Sequence, residues 1–231
     1  MIGSELLDDP RADPIAVGRE LRDIARLNAL FGGTRAVVRE LEPFFERSGR
    51  ETGNGKREAW TLLDIGTGLG DIPRAAVAAA RRRGVELTPM GMDLSRTAAR
   101  LARAGGLAVI VADGSWLPLG PRSVDVIVAS QVLHHVPRAV AVRWIATFDR
   151  VARRAVVLAD LRRSRAAMAG VWAASVGLAM SGVTRHDAVV SLKRGYTTRE
   201  LDAMLQEAGV RTAAGYRLGA RIVAAWSPST E

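Results

Sequence analysis

The chain has 231 residues, 48% of them hydrophobic and 25% charged, the balance of a soluble globular protein with one domain or a domain and a small appendage. It contains no cysteine, which excludes disulfides, a thiol nucleophile and cysteine metal sites. The net charge of +9 comes almost wholly from arginines scattered along the chain; without a basic stripe, nucleic acid is not the expected partner.

The opening stretch, MIGSELLDDPRADP, is acidic and broken by proline, where an export signal is basic and then apolar. A cytoplasmic location is therefore expected. Residues 15–46 predict two helices: Ile15, Leu21, Ile24, Leu27 and Leu30 keep helical spacing up to Gly32-Gly33, and a second helix runs from about Thr34 to Phe45. Residues 48–58 form a polar, glycine-containing linker. Residues 1–59 thus make an N-terminal helical cap and linker, and residues 60–231 the main domain.

From residue 60 strands and helices alternate. Strands are predicted at about 60–65, 86–92, 107–111, 124–129 and 155–160, with helices at about 72–83, 95–104 and 137–152, a pattern that indicates a parallel doubly wound sheet. Residues 166–184, AAMAGVWAASVGLAMSGVT, are uncharged and lie between Arg165 and Arg185. Their Ala, Gly and Ser content predicts a helix packed into the protein, with a membrane-surface or membrane-inserted element as the alternative. Thr197 and Glu200 make a capping box for a helix ending at Gly209. Two strand-like runs around Gly219-Ala220 predict a closing antiparallel hairpin.

The most informative stretch is LLDIGTGLGDIP, residues 62–73. Glycines directly after a buried strand imply close approach of the backbone to a ligand, and in such a sheet ligands bind beyond the carboxyl ends of the strands. A dinucleotide fingerprint requires a further glycine where this chain has Asp71, and an acid there repels a pyrophosphate. No Gly-Lys-Ser/Thr follows, so this is not a phosphate-cradling loop either.

The spacing Asp64-x-Gly66-x-Gly68-x-Gly70 instead resembles the first motif of class I S-adenosylmethionine (SAM)-dependent methyltransferases. GMDLS (91–95), VADGSWLPL (111–119) and SVDVIVASQVLHHV (123–136) resemble that family's later motifs, in order. The resemblance implies a Rossmann-like α/β sheet of seven strands with a C-terminal antiparallel hairpin. It also implies SAM as cofactor and S-adenosylhomocysteine as product. Gly66, Thr67, Gly68 and Gly70 would approach the ribose and methionine portions, and Asp64 would order the loop and help hold the ammonium. Asp93 would accept both ribose hydroxyls, and Asp113 with Gly114 would bind the adenine. Leu94 and Trp116 would flank the ring, though Trp116 serves equally as core; Ser130 and Gln131 would touch the methionine end. No metal site is expected.

Methyl transfer to a phenol or enol also needs a base, and histidine suits. The chain has three: His134, His135 and His186. The first two follow the fourth strand, and one of that pair is expected to be structural. His134 is the first choice as base, and His186 is a candidate on the covering segment. The residues after the fourth strand, ASQVLHH, lack the Asn/Asp-Pro-Pro-Tyr/Phe pattern of base-amino methylation. LHHVP is similar to the ubiquinone/menaquinone branch. The N-terminal helical pair with DLRRSR…VTRHD at 160–187 is similar to methyltransferases associated with type III polyketide products. The expected acceptor is a small phenolic, quinol or lipophilic molecule under a helical insertion at 165–196. O-methylation is favoured over C-methylation, with an RNA methyltransferase or a noncatalytic SAM-binding subunit as further alternatives.

Overall fold

The computed structural model describes residues 5–9, 11–51, 58–178 and 180–229. Seven strands form one sheet in the order β3-β2-β1-β4-β5-β7-β6: β1 Glu58–Ile65, β2 Val85–Asp93, β3 Ala108–Val111, β4 Val124–Ser130, β5 Ala152–Leu161, β6 Gly215–Arg217 and β7 Arg221–Trp226. The first five run parallel, and β7 is antiparallel to both neighbours. The chain steps outward from β1 to β3 and then returns to β4 beside β1, so the carboxyl ends of β1 and β4 flank a topological switch point. The predicted α/β sheet and closing hairpin are both present. The hairpin turn has Gly219 and Ala220 at φ 78° and 58°.

Local chemistry explains the helices. Pro14 opens α1 (Pro14–Leu30), where Asp13 accepts a hydrogen bond from the Ala16 N–H. Ser95 caps α4 (Arg96–Ala104), and Thr197 with Glu200 closes the capping box of α8 (Thr198–Glu207). α3 is Asp71–Arg82 and α5 Arg138–Val151. One apolar layer joins α5 and α8 to the sheet through Phe148, Ile145, Leu201 and Ile127. On the other face, α2 (Gly33–Glu51) and α3 meet the strands through Leu41, Phe45, Trp60 and Ala76.

Two expectations need correction. α2 continues through Glu51, so the start of the predicted linker is helical; residues 52–57 lie outside the described residues. The uncharged stretch is not one packed helix. It is divided between α6 (Arg165–Gly177) and the start of α7 (Gly182–Arg194), because Ser181 accepts from the Thr184 N–H and caps a new helix. Of the α6 residues only Ser175 is buried. Among the described residues no helix is long and apolar enough to cross a membrane.

Candidate active site

The carboxyl ends of β1, β2 and β4 open into a cavity of about 1070 Å³, roofed by the 3-10 turn Leu6–Asp8, α1 and α7. The glycine loop forms one wall. Gly66, Gly68 and Gly70 all have positive φ (70°, 53° and 73°), a region that favours glycine. At Gly66 a Cβ would stand 2.0 Å from Val132 Cγ1, so no other residue fits between β1 and the chain after β4. The amides of Gly66 and Thr67 donate to Met92 O at 2.8 and 3.0 Å, which ties the loop to the end of β2.

Gly66, Thr67, Gly68, Asp93, Leu94, Asp113, Gly114, Ser130 and Gln131, the expected cofactor residues, all line the cavity. Asp93 accepts the Gly68 N–H on Oδ2 (2.9 Å) and the Ser95 N–H on Oδ1 (2.8 Å), leaving each oxygen a further lone pair. Burial pushes its carboxyl above the ordinary value. Asp113 Oδ1 accepts from the Ser115 N–H at 2.8 Å.

Asp64 and Gly70 do not line the cavity. Asp64 is buried beneath the loop, and burial, reinforced by the charges of Asp71 and Asp93, pushes it well above the carboxylate range. Asp64 Oδ1 and Thr67 Oγ1 are both buried without a hydrogen-bond partner. Trp116 is 81% exposed and lies outside the cavity. The tryptophan beside this wall is Trp144 on α5, packed so close that a Cβ at Gly114 would come within 2.7 Å of its ring. Ser130 ends β4. Gln131, at φ 57°, donates through Nε2 to Asn28 Oδ1 at 2.8 Å, which also accepts from Arg221 Nη2 at 2.6 Å. α1, β4 and β7 are thereby joined at the cavity floor. Burial lowers the Arg221 pKa to about 10.

The histidines separate. His134 is buried, and its Nδ1 lies 2.6 Å from Asp160 Oδ1 at the end of β5. Burial alone would raise Asp160, but His134, the Leu161 N–H and the nearby His135 together outweigh it and hold the carboxyl below its ordinary value. Asp160 is therefore the acceptor and Nδ1 the donor, which leaves Nε2 as the ring nitrogen outside that bond. That Nε2 is buried, without a hydrogen-bond partner, on a ring that lines the cavity. His135 stacks against it, ring centroids 4.2 Å apart, and pairs through Nδ1 with Asp8 Oδ1 at 2.7 Å. Burial pulls His135 down, but Asp8 and Glu5 outweigh it and its pKa is raised. His186 is a correction: it is exposed and not among the cavity-lining residues, because Thr184, Asp187, Ala188 and Ser191 share the inward face of α7 and His186 points away from it.

Several residues that line or brace this site belong to no motif that sequence reasoning had tied to chemistry. Asp160 is the first residue of DLRRSR, a stretch that suggested kinship and no role. Glu5 is buried, accepts from Ser191 Oγ at 2.6 Å and pairs with Arg194 at 3.2 Å. Glu5 Oε1 is 3.9 Å from His134 Nε2, and Glu5 Oε2 is 3.9 Å from His135 Nε2. The set has ligand types suited to a cation, but Arg194, 2.8 Å from Asp8 as well, already supplies positive charge between the two acids. Glu20 on α1 is buried, and its Oε2 is 2.8 Å from Thr184 Oγ1, which is also 3.1 Å from Asp23 Oδ2. One hydroxyl proton thus serves two carboxylates. Burial, with Asp187, Asp23 and Glu5 nearby, raises Glu20 to about 7.

Residues 63–159 match a family described as "Methyltransferase domain". An uncharacterized methyltransferase of Mycobacterium sp. (strain JLS) is 36% identical over 119 residues, covering 51% of this chain and 43% of that protein. The chain spans less than half the length of the curated relatives it matches. Among solved structures, a SAM-dependent methyltransferase from Aquifex aeolicus superposes with a TM-score of 0.52 at 17% identity, over 89% of this chain and 98% of that one. Magnesium protoporphyrin IX methyltransferase from Synechocystis PCC 6803, solved with bound SAM, gives 0.52 at 16% identity, over 86% and 81%. Residues 63–159 thus match a methyltransferase domain, and the chain has the fold of the SAM-dependent methyltransferases it superposes on.

Proposed function

We propose that this chain transfers a methyl group from SAM to a hydroxyl of a small aromatic, quinol or polyketide-like acceptor, with His134 taking the hydroxyl proton. The observation that carries the reading is the buried Nε2 of His134, without a hydrogen-bond partner, on the cavity that the glycine loop also lines.

The residues present suit SAM. The ligand has a cationic sulfonium and an ammonium but no phosphate, and this wall offers carboxylates and backbone groups without a phosphate-binding lysine. Asp93 has lone pairs left for ribose hydroxyls, and Asp113 with Gly114 can meet the adenine edge. Ser130 and Gln131 stand at the methionine end. Asp64 and Gly70 act by shaping the loop. When bound, SAM supplies an electrophilic methyl with an excellent leaving group, so the protein's work is alignment, water exclusion and proton removal. Asp160 holds the His134 ring through Nδ1, leaving Nε2 as the atom to take the proton, and stabilises the imidazolium once the proton arrives. His135 anchors the Leu6–Asp8 turn that roofs the site. Apolar groups of α1, α6 and α7, among them Leu21, Ile24, Val171 and Leu192, suit a flat acceptor.

The test is calorimetric titration with SAM and S-adenosylhomocysteine, followed by turnover on phenolic and quinol acceptors. Micromolar binding of both, with His134→Ala abolishing turnover at unchanged SAM affinity, is the expected result. A folded protein that binds neither ligand overturns the reading.

A further inference from the structure

Surface helices of soluble proteins carry polar or charged residues on their solvent side. The face of α6 opposite the cavity does not. Between Arg165 and Arg185 the sequence has no ionisable side chain, yet α6 is exposed along most of its length. Trp172 is 55% exposed and Val176 44%, and they continue into Leu178 at 48% and Val183 at 50% at the α6–α7 corner. Ala166, Ala169, Gly170 and Ala173 complete the same outward face.

The surrounding charge is mostly positive. From Arg162 to Glu200 there are seven lysines and arginines against two acids: Asp187, which is buried, and Glu200, which pairs with Arg163. Arg162, Arg163, Arg165, Lys193 and Arg199 are exposed. An apolar face with an outward tryptophan and a basic surround is the pattern of a helix lying in the plane of an anionic bilayer surface. α6, 13 residues long, spans roughly 20 Å, too short to cross a bilayer. A second copy of the chain is the poorer occupant, since a two-fold contact would bring two strongly basic segments together. Val171, on the inward side of the same helix, lines the cavity, so an acceptor dissolved in the bilayer would meet the site directly behind the docking face.

We propose that α6 and the α6–α7 corner dock this protein on anionic membrane surfaces. The experiment is co-sedimentation of the full chain with phosphatidylglycerol-containing vesicles and with pure phosphatidylcholine vesicles, without cofactor or acceptor. The expected result is binding to the anionic vesicles that weakens as salt rises. Trp172→Glu, at an exposed position and so with an unchanged circular dichroism spectrum, should lower vesicle partitioning by about tenfold or more. Absence of binding to either vesicle overturns the proposal, and so does equal binding by the folded Trp172→Glu variant. A dimer that Trp172→Glu dissociates, with no vesicle binding, overturns it in favour of a second copy. Since no SAM or acceptor is present, either failure leaves the methyltransferase reading standing.

Discussion

At the scale of single residues, function rests on which atom of a polar group is left free. His134 has two ring nitrogens, and the 2.6 Å contact with Asp160 fixes their roles. Asp160→Asn should keep the shape but reverse the bond, since an amide can donate to Nδ1 and thereby move the ring proton to Nε2. Turnover should fall by about 10²-fold or more, with SAM affinity unchanged by calorimetry; full turnover in the variant would remove Asp160 from the proposed reaction. Asp93 serves twice, since its carboxylate receives the Gly68 and Ser95 amides and has capacity left for a ligand. Asp93→Ala should therefore weaken SAM binding by about 1–3 kcal/mol, read in the same titration. Unchanged binding would end the ribose assignment.

At the scale of elements, the glycine loop is the part whose geometry is least forgiving. Gly66 combines positive φ with a would-be Cβ contact of 2.0 Å to Val132, whereas Gly84, at φ 78°, has nothing within 4 Å of its would-be Cβ. Gly84→Ala should cost only the backbone term of about 1–2 kcal/mol. Gly66→Ala should add overpacking of about 1–3 kcal/mol, and thermal unfolding of the two variants separates the contributions. Equal melting temperatures would mean that Val132 moves aside at little cost. The roof is a second such element. The Leu6–Asp8 turn is held by polar ties: Leu6 N–H to Asp187 at 2.7 Å, Glu5 to Ser191 and Asp8 to His135 and Arg194. Polar ties of this kind, unlike an interdigitated apolar layer, can be made and broken as an acceptor enters.

At the scale of the whole molecule, the acids brought together by the Leu6–Asp8 turn, α1 and α7 have a thermodynamic consequence. Glu20 has its pKa raised from 4.5 to about 7, so between those values the folded state binds more protons than the unfolded one. Stability therefore falls as pH rises from about 4.5, and the full penalty is present above about 7. Glu20→Gln should stabilise the ligand-free protein by up to about 3 kcal/mol at alkaline pH, with the gain shrinking to nothing near pH 4. Denaturant unfolding across that range checks this; a gain independent of pH would trace to packing alone. The net charge of +9 is a property at the same scale, and it adds a general attraction toward anionic surfaces.

By itself the sequence determined the frame. Strand–helix alternation, the glycine spacing after β1 and the acids ending β2 and opening the loop after β3 are local patterns, and each is set by backbone chemistry within a few residues. The sheet, the hairpin and most of the residues along the glycine-loop wall of the cavity were legible for that reason. Only the tertiary structure decided the rest. Asp160 meets His134 across 26 positions of sequence, and Glu5 meets Ser191 across 186; no periodicity encodes such pairings. Choosing Trp144 over Trp116, and turning His186 outward while Asp187 turns in, depended on how α5 and α7 are rotated against the sheet. The exposure of α6 followed the same logic: its composition fits a buried helix, and only the packing of its neighbours shows that nothing in the described fold covers it. Local chemistry specifies elements, whereas a site is a property of surfaces that come together after those elements have packed.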